Sequence, residues 1–233
     1  MKVLAIDTSN LVMSVAVADG GVIVGEFTTY LKKNHSVRLM PAISELMKEV
    51  GIAPAELEKI VVARGPGSYT GVRIGVTTAK SLAWSLQIPI VGVSSLEVLA
   101  QNGRHFPGFI CPLFDARRGQ VYTGLYQWHP SGLEEKISDQ LLLLDDWLPM
   151  LQSYEEDILF LGNDLSIHVE RIKEALGSRA FFGQVSQQNP RASELIALAQ
   201  DRPISTNVHE FVPTYLQLAE AEVKWLAAQK KEG

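Results

Sequence analysis

Apolar and polar positions along this chain change period several times in the first hundred residues, and each change marks an element. Residues 3–7 form an unbroken apolar run, the pattern of a strand buried on both faces. Thr8-Ser9-Asn10 is a polar turn, and residues 12–18 are rich in β-branched side chains. Asp19-Gly20-Gly21 signals a hairpin into a third strand at 22–29. The period then becomes helical: Leu39, Met40, Ile43, Leu46, Met47 and Val50 share one face. Asn34 or Ser36 can cap that helix, Pro41 falls early in it, and Gly51 ends it. A short turn at 54–58 leads to a strand at 59–64, a glycine-rich loop and a helix over about 71–86. A strand at 89–93 follows, and Ser94 caps a helix to about 101.

The pattern then restarts. An apolar strand at 109–115 ends in Asp, as 3–7 does, and strands follow at 119–128 and within 134–144. Helix, strand and helix are predicted at 145–153, 158–161 and 164–176, with further helices at 192–200 and 218–230. The halves share topology and little residue identity. The expected fold is α/β, with duplicated β-β-β-α-β-α lobes of the actin/Hsp70/sugar-kinase-like class. The lobes are expected at 1–104 and 105–212, and 213–233 as a C-terminal helix packing back on the N-terminal lobe. In that class the turn after each lobe's first strand faces nucleotide phosphates. Asp7, Thr8 and Ser9 fall at one such turn, Asp115, Arg117 and Arg118 at the other.

Composition narrows the classes. The 233 residues are 46% hydrophobic and 20% charged, which suits a globular chain large enough to bury a core. The formal charge of −5 argues against a stand-alone nucleic-acid binder. One cysteine, Cys111, fits a reducing cytoplasm and reads as a buried packing residue. The apolar run at 3–6 is too short for a signal peptide core, and no stretch is long enough to span a membrane.

The strongest motif is the loop Gly65-Pro66-Gly67-Ser68-Tyr69-Thr70-Gly71 with Arg73 and Gly75 beyond it. It leaves a strand and opens a helix, where free N–H groups attract anions and Ser68 or Thr70 can cap. It is neither a P-loop nor a dinucleotide fingerprint, because Val72 and Arg73 follow Gly71 and Thr70 stands three after Gly67. A structural turn and an anion or partner site are both open readings. Gly71, Gly75 and Ala79 make a flat stripe, with Val72 and Val76 beside it. This surface suits packing within the chain or contact with another subunit. His35 has Leu39 four residues on, and the other histidines are scattered, so no metal set is visible. No Gly-x-Ser-x-Gly elbow is present. Asp115-Ala116-Arg117-Arg118 reads as an Asp–Arg pair holding a tight turn, or as a bidentate anion site.

These residues together resemble one family. The residues 3–9, His35-Ser36 with Leu39 and Pro41, the whole 65–75 segment, residues 92–96, Asp115-Ala116-Arg117-Arg118, Pro190-Arg191-Ala192 and Pro213-Thr214-Tyr215-Leu216 look like the TsaB (YeaZ) family. The resemblance covers essentially the whole chain. It implies a non-catalytic subunit needed to make threonylcarbamoyladenosine in tRNAs reading codons that begin with A. Such a subunit binds and activates TsaD, the metal-bearing transferase, together with the ATPase TsaE, and meets tRNA through that complex. It implies a TsaD-binding surface on the two N-terminal-lobe helices, at His35, Leu39, Met40, Ile43, Leu46, Met47, Val72, Gly75, Val76 and Ala79. Free of TsaD, the same surface would make a homodimer. No cofactor is expected, with a nucleotide at the TsaD interface left open. An older glycoprotease assignment finds no support here. Gln217 departs from the Arg that the family often carries there.

A second reading is an independent ATPase or kinase of the actin class, motivated by Asp7, Thr8 and the Asp115 turn. On the first reading the acidity becomes an expectation about role: alone, the chain binds tRNA weakly.

Overall fold

The computed structural model describes residues 1–200 and 202–216. Gln217 and the helix expected at 218–230 lie outside them. Two five-stranded sheets carry the fold. The first joins β1 (Val3–Asp7), β2 (Val12–Asp19), β3 (Val22–Tyr30), β4 (Lys59–Ala63) and β5 (Ile90–Val93), in the order β3-β2-β1-β4-β5. The second joins β6 (Phe109–Arg117), β7 (Gln120–His129), β8 (Gly132–Leu143), β9 (Ile158–Leu161) and β10 (Ala180–Phe182), in the order β10-β9-β6-β7-β8. The two orders are the same once each lobe is counted from its own first strand. Each lobe begins as an antiparallel meander and continues in parallel through helical crossovers, as parallel pairing requires. This is the duplicated actin-like arrangement.

The helices are α1 (His35–Glu49), α2 (Tyr69–Leu86), α3 (Ser95–Ala100), α4 (Leu144–Gln152), α5 (Val169–Leu176) and α6 (Ala192–Leu198). Central strands read as continuous apolar runs because both faces are covered: β1 and β4 are buried throughout. Leu4, Ile6, Ile60 and Val62 pack under α1 and α2. Val3, Ala5, Val61 and Ala63 face the other way, against Ala192, Leu195 and Ile196 of α6. In the second lobe α4 and α5 cover one face around Trp147 and Phe160. Leu96, Leu99 and Ala100 of α3 cover the other, against Ile110, Tyr126 and Leu161.

Each lobe therefore sends its last helix onto the other lobe's sheet. That moves the expected boundary at 212. Residues 192–199 pack on the first sheet, and Val208 and Phe211 join its α1–α2 core. Pattern alone could not find this, since α6 is amphipathic whichever sheet it covers. Strand β10 was also not expected: three residues are too few to show a period. The helix expected over 164–176 divides into a 3₁₀ turn at Leu165–Ile167 and α5.

Candidate functional site

The 65–71 loop folds down onto the turn between β1 and β2. Ser68 caps α2, its Oγ accepting from the Gly71 N–H at 3.3 Å. The Ser68 N–H donates to the Ser9 carbonyl at 2.7 Å, and Thr8 Oγ1 donates to the Gly71 carbonyl at 2.7 Å. The approach is close enough to require glycine. A Cβ on Gly67 would lie under 3.0 Å from Ser9 O, and one on Gly71 under 3.0 Å from Thr8 O. The motif thus supplies two bare backbone positions where a helix start meets a strand end.

The consequence for Asp7, Thr8 and Ser9 is burial, at 0%, 1% and 0% exposure. The expected phosphate-facing turn is covered by the protein's own loop, and these three side chains are not presented to a ligand. Asp7 Oδ1 accepts from the Ser9 N–H at 2.8 Å, while Oδ2 is buried without a hydrogen-bond partner. Burial pushes the Asp7 carboxyl above the usual carboxylate range, and the Ser9 N–H pulls part of the way back. His35 Nε2 pairs with the Asn10 carbonyl at 2.8 Å, which ties the start of α1 to the same turn.

The second turn is built differently. Arg117, Arg118 and Gly119 all have positive φ, at 67°, 54° and 74°, so two non-glycine residues stand in the left-handed region. Asp115 Oδ1 pairs with His168 Nε2 at 3.1 Å, and Asp115 Oδ2 accepts the Arg117 N–H at 3.3 Å. The turn is held through His168 and the Arg117 backbone N–H. The side chains of Arg117 and Arg118 are exposed. Burial raises the neighbouring Asp164 carboxyl, and the Asp115 N–H donates to it.

The residues expected at the partner surface are mostly interior. His35, Leu39, Ile43, Leu46, Met47, Val72, Gly75, Val76 and Ala79 are buried in the chain. Leu39, Ile43, Leu46, Met47, Val72, Val76 and Ala79 belong to the core between α1, α2 and the first sheet. The small-residue stripe of α2 serves close packing inside the lobe: a Cβ on Gly75 would lie under 3.0 Å from Thr8 Oγ1. Met40 alone of that set is exposed, at 46%. The outer face is instead made by residues that the apolar period passed over. Val37 is 68% exposed on α1, and Tyr69 and Trp84 are 42% and 58% exposed on α2. A tryptophan on the polar side of an amphipathic helix is the sequence signal that could have marked it. Beside Met40 a groove of about 400 Å³ opens between α1, Leu82 and the Ile52–Leu57 connection.

Between the lobes, Asp139 of β8 accepts from the Ser94 hydroxyl, which caps α3, and from the Tyr126 hydroxyl. Arg202 pairs with Glu97 nearby. Burial raises the Asp139 and Glu97 carboxyls. Nothing in the sequence pattern pointed to this cluster, which exists only because the lobes meet there. Among the described residues no group of three or more His, Cys, Asp or Glu is placed to hold a metal ion. None of their helices is long and apolar enough to cross a membrane.

A fold of two duplicated lobes whose first strand-end turn is covered by a Gly-Pro-Gly-Ser-Tyr-Thr-Gly loop defines the class, and similarity to known proteins narrows it. A protein-family profile described as TsaD, tRNA N6-adenosine threonylcarbamoyltransferase, matches residues 16–225. The tRNA threonylcarbamoyladenosine biosynthesis protein TsaB of Bacillus subtilis (strain 168) is 56% identical over 230 residues, 99% of this chain and 100% of that protein. The protein of the same name from Haemophilus influenzae is 26% identical, over 97% of this chain and 96% of that one. The structure of YeaZ from Pseudomonas aeruginosa superposes with a TM-score of 0.76 at 28% identity, covering 92% of this chain and 99% of that one. The chain belongs to the TsaB family, within the wider group that the TsaD profile describes, and to the biosynthesis of tRNA threonylcarbamoyladenosine.

Proposed function

We propose that this chain is a non-catalytic subunit that binds and activates TsaD, with TsaE joining the assembly, for threonylcarbamoylation of tRNA adenosine beside the anticodon. The observation that carries this reading is the covered first turn. The residues an actin-like enzyme would turn toward phosphates are committed to the 65–71 loop, so the fold is used as a scaffold. The exposed Val37, Met40 and Trp84 and the neighbouring groove offer a docking face of the composition interfaces favour. Apolar surface of this kind also suits a homodimer when TsaD is absent. The chain needs no cofactor of its own, and any nucleotide sits at the TsaD interface. Work on tRNA then proceeds through the complex, in the cytoplasm, which agrees with a net charge of −5.

Calorimetry tests this against the ATPase reading. Titration with TsaD should give saturable binding, and titration with ATP and magnesium should give neither tight binding nor turnover. ATP hydrolysis by the isolated chain, with no affinity for TsaD, would reverse the assignment.

A further inference from the structure

The Pro213-Thr214-Tyr215-Leu216 motif has no role in the reading above, yet the structure places it on the same loop. After α6 the chain runs back along the first lobe. Ser205 exchanges backbone hydrogen bonds with Ile90 of the edge strand β5, at 3.0 and 3.1 Å. Val208 and Phe211 are buried in the α1–α2 core. Lys80, on α2, donates from Nζ to the carbonyls of both His209, at 3.0 Å, and Phe211, at 2.6 Å. The Trp84 ring lies edge-on to His209, 6.4 Å between centroids. The segment then reaches both ends of the loop. The Thr214 N–H donates to the Arg64 carbonyl at 2.7 Å. Gly65, with φ of 102°, stands so close to Thr214 O that a Cβ would lie under 3.0 Å from it. The Tyr215 ring rests 4.9 Å from the Tyr69 ring, and Arg73 lies over the Tyr69 ring and bonds its hydroxyl at 3.1 Å.

The loop's inner side is fixed by Ser9, Thr8 and Ser95, all within the sheet-and-helix framework. Its outer side, which carries the exposed Arg64, Tyr69 and Arg73, is met by the returning segment at Arg64 and at Tyr69. We infer that residues 205–216 are a strap that positions the outer side of the 65–71 loop for the partner protein, with Lys80 as the clip that holds the strap on α2. An ammonium shared between two carbonyls is a charge-assisted contact that fixes backbone without burying apolar surface. Losing it therefore loosens the strap's backbone around 209–211, while the buried Val208 and Phe211 keep it seated on the α1–α2 core. The inference rests on the proposed docking role only for the identity of the partner. The coupling of strap to loop is a property of the free chain.

The test uses the full chain and four variants: Lys80→Met, Lys80→Arg, Thr214→Pro and Thr214→Ala. Lys80→Met removes the clip, and Thr214→Pro removes the single N–H that meets Arg64 O. The paired variants retain a cation and an N–H respectively. Hydrogen exchange followed by mass spectrometry should show peptides spanning 64–72 exchanging about tenfold faster in Lys80→Met and Thr214→Pro. Lys80→Arg and Thr214→Ala should stay near the parent, with circular dichroism unchanged throughout. TsaD affinity should fall by about tenfold in the same two variants and recover in Lys80→Arg. Unchanged loop exchange in both Lys80→Met and Thr214→Pro would overturn the strap, whatever TsaD does. Faster loop exchange with undiminished TsaD affinity would overturn the coupling to the partner. Failure of the parent chain to bind TsaD would count against the docking role and leave the exchange result to judge the strap.

Discussion

Gly71 and Thr8 meet in two ways: the Thr8 side-chain Oγ1 donates to the Gly71 carbonyl at 2.7 Å, and a Cβ on Gly71 would lie under 3.0 Å from the backbone oxygen of Thr8. This contact closes the first turn and orients the start of α2. The obstacle is backbone oxygen, which cannot rotate away as a side chain can. Gly71→Ala should therefore destabilise the chain by roughly 1–3 kcal/mol, despite alanine's better helix propensity. Thermal unfolding checks it. A midpoint equal to or above the parent's would mean that the loop is not seated on the turn.

Helix α1 separates stability from the proposed docking at neighbouring positions. Ile43 is 3% exposed and Met40 is 46% exposed. Ile43→Glu buries an unpaired charge and should cost about 3–5 kcal/mol. Met40→Glu should leave the melting midpoint within a few degrees and weaken TsaD binding by about tenfold or more. Equal loss of stability in both variants would place Met40 inside the core, against its exposure. Undiminished TsaD binding by folded Met40→Glu would move the docking face elsewhere.

Asp139 makes the contact between lobes depend on pH. Burial raises its carboxyl despite hydrogen bonds from Ser94 and Tyr126 and the field of Arg64. Glu97 and Glu135 are raised beside it, and Arg202 faces both. A carboxyl raised on folding binds its proton more tightly in the native state. Its contribution therefore grows as pH falls from neutral through the folded value, and levels off below the unfolded one. Urea unfolding of the parent and of Asp139→Asn at pH 7 and pH 5 isolates the effect. The parent should gain stability relative to the variant at pH 5. A relative loss would mean that the carboxylate is favoured in the folded state.

Cys111 is fully buried: Trp147 Nε1 donates to its Sγ at 3.4 Å, and its Sγ pairs at 3.3 Å with Thr123 Oγ1, which itself donates to the Pro112 carbonyl at 2.9 Å. Burial pushes its thiol up to about 11. The native chain should resist thiol reagents at pH 8 and react fully only in denaturant. Stoichiometric labelling of the native chain would contradict the packing.

Periodicity is enough to read the duplication and nine of the ten strands among the described residues, because central strands here are apolar throughout and turns carry Gly, Asp and Asn. It could not tell which sheet a terminal helix covers, so α3 and α6 were assigned to their own lobes. The same limit bears on the residues expected at the partner surface, most of which are buried. Leu39, Ile43 and Val76 have the period of a buried face, and that period is the signature of the core. Of the exposed apolar side chains on these helices, Met40 lies within that period, while Val37 and Trp84 stand outside it. The 65–71 loop stood out as a motif, but its purpose depends on Ser9 and Thr214, which are distant in sequence and adjacent only in the fold.

Reconstitution tests the central claim most directly: TsaD, TsaE, tRNA and threonylcarbamoyl-adenylate are combined with and without this chain, and threonylcarbamoyladenosine is quantified. Modification should require the chain, scale with its binding to TsaD, and be absent when the chain is supplied without TsaD. Equal modification without the chain, or transfer by the chain alone, would contradict the proposed role of an activating, non-catalytic subunit.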